Sequence, residues 1–159
     1  MSIDFLQEAA IWLAEAEEDL DVAGNEADKH PAHACFHAQQ AAEKALKAVY
    51  LVSGVDYPHV HSITELIDGL LDAHGELKKF RSAAAILNAF YIGTRYFQRE
   101  TGVIPKKTYT TENAVDAIGK AQAISEECRR VFAAAVTANP PQGGAPASAS
   151  FLKTDRTTT

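Results

Sequence analysis

Near the start of the chain, Phe5, Leu6, Ala9, Trp12, Leu13, Ala16, Leu20 and Ala23 recur three and four residues apart. That is the spacing of one face of an α-helix. A first helix is therefore predicted from about Ile3 to Val22, stopping near Gly24-Asn25, and its other face is a wall of carboxylates. A second pattern, Cys35, Ala38, Ala42, Ala45, Val49, Val52, follows Pro31, a residue suited to a first helical turn. It continues to Ser53-Gly54, where glycine can take the left-handed cap. "VDYPHVHS" reads as a loop, because Pro58 pushes Tyr57 out of the helical region. Ser62-Ile63-Thr64-Glu65 has the form of a capping box. It opens a short third helix through Leu71, with Ile63, Leu66, Ile67 and Leu70 inward.

After Gly75 a fourth helix is predicted from about Glu76 to Arg95, running through Phe80, Ala84, Leu87, Ala89, Phe90 and Tyr91. "QRETGVIPKKTY" is a loop ended by a Thr110-Thr111 cap, with Glu112 in the first turn. The fifth helix carries Val115, Ile118, Ala121, Ile124, Cys128, Val131 and Phe132 on one stripe and ends by Ala138. No strand pattern competes with these. The predicted class is all-α: an antiparallel up-and-down bundle of four long helices with one short extra helix. A length of 159 residues fits one domain over 1–138. Residues 139–159, rich in Pro, Gly, Ser and Thr, read as a disordered tail. Composition adds little to this picture: 47% hydrophobic and 23% charged is ordinary, and heavy alanine use favours helix.

Charge changes it more. A net charge of -6 argues against generic DNA or RNA binding, which draws its affinity from cationic side chains. The charges are segregated, however. Residues 1–28 hold nine acids and no Lys or Arg, while 76–107 hold Lys78, Lys79, Arg81, Arg95, Arg99, Lys106 and Lys107 against Glu76 and Glu100. Such runs form either solvated faces or a partner or phosphate site on one face. Cys35 and Cys128 form no CxxC and suggest neither zinc knuckle nor disulfide framework. With no signal-peptide pattern and no membrane-spanning apolar run, the expected location is the cytoplasm.

The second helix is oddly polar for its alanine content. In "HAQQAAEKALK", His37, Gln40, Lys44 and Lys47 fall on one stripe, and Phe36, Gln39, Glu43, Leu46 and Tyr50 on its neighbour. Glu43 therefore sits among large apolar groups, where an unpaired carboxylate costs several kcal/mol, and Lys47 at i+4 is its nearest candidate partner. The first stripe is then offered outward. Two readings stand: a polar seam that fixes helix register or a dimer interface, and a ligand site.

"FHAQQAAEKALKAVYLVSG", then "HSITEL", then "AFYIGTRY" and "YTTENAVDAIGKAQAI", together resemble the HEPN family, small helical bundles of prokaryotes and higher eukaryotes. The resemblance spans roughly residues 5–135. It implies a homodimer and a role as partner of a minimal nucleotidyltransferase in a toxin–antitoxin module. It further implies either nucleotide or substrate binding, or metal-independent endoribonuclease action.

The ribonuclease branch uses an arginine followed a few residues later by a histidine, the first holding the scissile phosphate and the second moving a proton. All six histidines, His30, His33, His37, His59, His61 and His74, precede the first arginine, Arg81. The motif is absent in that order, which leaves only a rearranged pair assembled through the fold, and no catalytic residue is assigned. Nucleotide-binding-like relatives tend to read Arg-Tyr-Pro where this chain has Arg95, Tyr96 and Phe97. Arg95 can grip a phosphate bidentately and Tyr96 can stack on a base. The competing reading pairs Arg95 with an acid at a helix end and lays Tyr96 over the core. The candidate ligand set is Lys44, Lys47, Arg95 and Tyr96, with Arg99 nearby and Gln40 and His61 positioning the ligand. His61 is otherwise expected to bond a backbone carbonyl. His30, His33 and His37 lack the carboxylate of a HExxH signature, so no metal or other cofactor is expected. The functional expectation is a binding or partner subunit for a nucleotide or RNA; the alternative is a purely protein–protein module, its acidic first helix and basic fourth helix docking a nucleotidyltransferase or a second copy of the chain.

Overall fold

The computed structural model describes residues 4–139. Its elements are α1 (Phe5–Glu26), α2 (Pro31–Val52), α3 (Ile63–Leu70), a 3-10 turn (Gly75–Phe80), α4 (Arg81–Asn88), α5 (Phe90–Gly93), α6 (Pro105–Thr108) and α7 (Thr111–Ala138). The protein is all-α. Among the described residues the sole extended pairing is an isolated bridge between Gln98 and Val103. The predicted start at Ile3 and the predicted tail beyond Asn139 lie outside the described residues.

The alanine content of α2 is explained by its place. It packs against both α1 and α7, and fifteen of its 22 residues are buried. A helix buried on nearly all sides needs small side chains where neighbouring backbones approach. Ala34, Ala38, Ala41, Ala42 and Ala45 fill that role, all fully buried. The inward face of α3 is as expected, with Ile63, Leu66, Ile67 and Leu70 in the core.

Caps fall largely where the sequence places them. Pro31 begins α2, Gly54 follows it at φ 76, and Ser62 Oγ accepts from the Glu65 amide at the start of α3. Thr110 and Asn113 form a reciprocal capping box on α7. The first helix runs on to Glu26, past Gly24, whose missing side chain faces open space. Two inward assignments are corrected: Phe5 and Val115 are exposed.

The predicted single helix from Glu76 to Arg95 is broken into three pieces, and the reason is tertiary. A 3-10 turn puts Leu77, fully buried, and Phe80 three residues apart on one side. At the end of α4, the Asn88 side chain serves another helix: its Oδ1 accepts from the Ile63 amide at 2.6 Å, and its Nδ2 donates to Thr64 Oγ1 at 2.8 Å. A single turn residue, Ala89, follows, and α5 then brings Gly93 against Tyr109, where a Cβ would lie 2.5 Å from the phenol oxygen.

Candidate functional site

The polar residues of α2 converge on one carboxylate. Glu43, almost wholly buried, accepts from Lys47 Nζ at 2.7 Å, from Gln39 Nε2 at 3.2 Å and from Gln40 Nε2 at 3.4 Å. His61 Nδ1 lies 3.1 Å and 3.3 Å from its two oxygens. Gln39 also donates to the His61 backbone carbonyl at 3.0 Å, tying the loop before α3 to α2. The Lys47 ammonium is boxed by rings, 5.6 Å from the centroid of Trp12 and 5.4 Å from that of Tyr57, themselves packed edge to face. Burial of the pair is tolerable only because every charge has a partner.

This geometry corrects the outward stripe. Of the four residues expected to face solvent, Lys47 is buried in the seam and Gln40 turns into it, donating also to Gln39 Oε1 at 2.6 Å. Lys44 and His37 face the acidic helix α1. Lys44 Nζ sits 2.7 Å from Asp19 and 3.2 Å from Glu15, and His37 Nδ1 lies 2.7 Å from Asp19. Burial alone pulls the Lys44 pKa down, but the bonds and charges of Asp19 and Glu15 outweigh it and hold the ammonium above the ordinary lysine value. Two carboxylates of α1, Glu15 and Asp19, are thus paired with cationic or imidazole groups of α2.

The outward surface is made instead by His61, Tyr91 and Arg95. The His61 ring stacks on Tyr91, centroids 4.4 Å apart and planes 15° from parallel. This imidazole bonds a carboxylate, where a backbone carbonyl was expected. The Arg95 guanidinium lies 4.4 Å from the same Tyr91 ring, 4.7 Å from Phe36 and 5.1 Å from Tyr96. Its Nε donates to the Tyr91 carbonyl at 2.7 Å. No carboxylate among the described residues forms an ion pair with it. The expected acid partner is therefore absent from this set, and Tyr96 is exposed rather than laid over the core. Arg99 stands exposed in the following loop, with no described side-chain contact to this group. The three α2-start imidazoles do not converge: His30 stacks on His33 while His37 bonds Asp19.

Tyr91 and Phe36 were not singled out as site residues from sequence. Tyr91 had a signal, since it precedes Arg95 by one helical turn. Phe36 had none, because its meeting with Arg95 joins α2 to the segment after α5.

A helical bundle with a Gln-Glu-Lys seam on its most buried helix can be compared with known bundles. The HEPN domain family model matches residues 9–131, most of the chain. The chain belongs to the HEPN family. Its fold is similar to the crystal structure of TT1696 from Thermus thermophilus, with 32% identity and a TM-score of 0.72, over 78% of this chain and 98% of that one. It is also similar to ST0689, an archaeal HEPN homologue, with 27% identity and a TM-score of 0.65, over 79% and 98%. Among curated proteins none matches. Within the HEPN bundle, no helix of the described residues is long and apolar enough to cross a membrane.

Proposed function

We propose that this HEPN chain binds a phosphate-bearing nucleotide on the surface formed by His61, Tyr91, Arg95 and Tyr96. One observation carries the reading: a guanidinium within 4.4–5.1 Å of three ring centroids, with no described carboxylate to neutralise it. The three rings and the Nε bond to the Tyr91 carbonyl restrain the fork, so that little side-chain freedom is lost when it meets a phosphate. The exposed Tyr96 ring and the His61–Tyr91 stack offer π-faces to a base. Lys44 and Lys47 take no part as phosphate ligands in this reading, because α1 and Glu43 already hold them. Titration of the purified chain with AMP and GMP will show saturable binding, weakened at least about tenfold by Arg95→Ala. Absence of binding to either nucleotide would sink the reading.

A second reading rests on the Glu43–His61 pair. His61 Nδ1 bonds the Glu43 carboxylate, and its other ring nitrogen has no hydrogen-bond partner among the described residues. Arg95 shares the Tyr91 ring with it. A rearranged histidine–arginine pair of this kind has the parts for a ribonuclease: a base for a 2′-hydroxyl and a cation for the phosphate it attacks. RNA incubated with wild type, His61→Ala and Arg95→Ala tests it. Cleavage by wild type alone supports the pair; profiles identical to a protein-free control remove it.

A further inference from the structure

A cavity of about 260 Å³ opens beside Arg95, between the start of α2 and α6. Its polar lining is Lys29, His30, His33, Thr94, Arg95 and Lys106. Three permanent cations and two imidazoles converge there, and no Asp or Glu lines it. The nearest recorded acid contact is Glu26, 3.8 Å from the His30 ring. Neither Lys29 nor Lys106 has an ion-pair partner among the described residues. A concave site focuses such a field more strongly than a flat surface does. The backbone adds to it: α2 has no side-chain cap, and the first of its amides to find a backbone acceptor is Ala34, bonding the His30 carbonyl at 3.1 Å.

The cavity lies below the roughly 300–1,000 Å³ that encloses a drug-sized ligand. It can take the charged end of a ligand whose remainder lies elsewhere. Arg95 belongs to both places, lining the cavity and stacking on the rings of the outer surface. We infer that the cavity is a polyphosphate subsite, so that the ligand of this chain is a nucleoside di- or triphosphate. The base lies on the aromatic surface, Arg95 holds the first phosphate, and Lys29, His30, His33 and Lys106 hold those beyond it. This rests on the nucleotide reading above for the base, but the subsite has its own chemistry and its own test.

Calorimetric titrations of the full chain with AMP, ATP and inorganic tripolyphosphate separate the two. ATP is expected to bind at least about tenfold more tightly than AMP, and tripolyphosphate to bind on its own. Lys29→Gln with Lys106→Gln should erase the ATP advantage and the tripolyphosphate binding while leaving AMP unchanged. Lys78→Gln with Lys120→Gln, an equal loss of charge elsewhere, should leave all three unchanged. Equal affinity for AMP and ATP overturns the subsite and spares the nucleotide reading. So does an ATP advantage that survives the Lys29/Lys106 change or falls equally with the Lys78/Lys120 change. Tripolyphosphate binding that the Lys29/Lys106 change removes, with no AMP binding, supports the subsite and overturns the nucleotide reading. No binding of any probe overturns both.

Discussion

Glu43→Ala removes the acceptor on which four side chains converge, and its cost follows from what it strands. Lys47, only 7% exposed, keeps its charge but loses the carboxylate 2.7 Å away. What remains to it is the ring faces of Trp12 and Tyr57, more than 5 Å distant. Cation–π attraction is worth about 0.5–2 kcal/mol, whereas breaking a buried ion pair by deleting one member costs about 3–5 kcal/mol. Gln39 is less affected, since its amide still reaches the His61 carbonyl. A loss of about 3–5 kcal/mol is therefore expected, or about 6–20 °C in Tm for a domain near this size. Urea unfolding followed by circular dichroism measures it. Adding Lys47→Met should recover part of the loss, because the stranded charge goes, giving a coupling of at least about 1 kcal/mol in the double-mutant cycle. Lys44→Ala, which takes the 2.7 Å ammonium from the buried Asp19 but leaves it His37, should cost less, about 1–3 kcal/mol. The reasoning is refuted if Glu43→Ala stays within about 1 kcal/mol of wild type, or if its effect and that of Lys47→Met simply add.

Other outcomes follow from single contacts. Gly69→Ala would set a Cβ 2.2 Å from the Tyr50 hydroxyl, which donates to the Leu66 carbonyl. It should destabilise by about 1–3 kcal/mol despite better helix propensity, and Tyr50→Phe in the same chain should return part of that, read by thermal melts. Asn88→Ala strips the Ile63 amide of its acceptor and should cost about 1–3 kcal/mol, with hydrogen exchange rising at the start of α3. In alkali several groups act in the same direction, among them the two buried thiols, Cys35 and Cys128, both held up by burial, and Lys44. Burial, with the nearby charge of Asp116, pushes the Cys35 thiol up from 9.0 to about 11. The unfolded chain therefore loses this proton first, and stability falls between those values by up to about 1.4 kcal/mol per pH unit. The Lys44 contribution is intact below the ordinary lysine value and is lost as pH rises through its higher folded value. Urea titrations from pH 8 to 11 should show the fall, Cys35→Ala should lessen its lower part, and Cys35→Ala with Cys128→Ala should flatten it.

The sequence by itself determined what local physics controls. Periodicity placed α1, α2, α3 and α7, and Pro31, Ser62 and Thr110 marked starts because each acts within its own turn. The Glu43–Lys47 pair was legible for the same reason, being one helical turn apart. Tertiary structure decided which face of α2 meets solvent. Spacing put His37, Gln40, Lys44 and Lys47 on one outward stripe, but the packing sends Gln40 and Lys47 to Glu43 and His37 and Lys44 to α1. Long-range packing also joined the end of α4 to the start of α3, since the Asn88 side chain bonds a helix start about twenty-five residues earlier. It brought Phe36, His61, Tyr91 and Arg95 into one surface, and Lys29 and Lys106 around one cavity. No periodicity within a single helix encodes those meetings, because they depend on how the bundle closes.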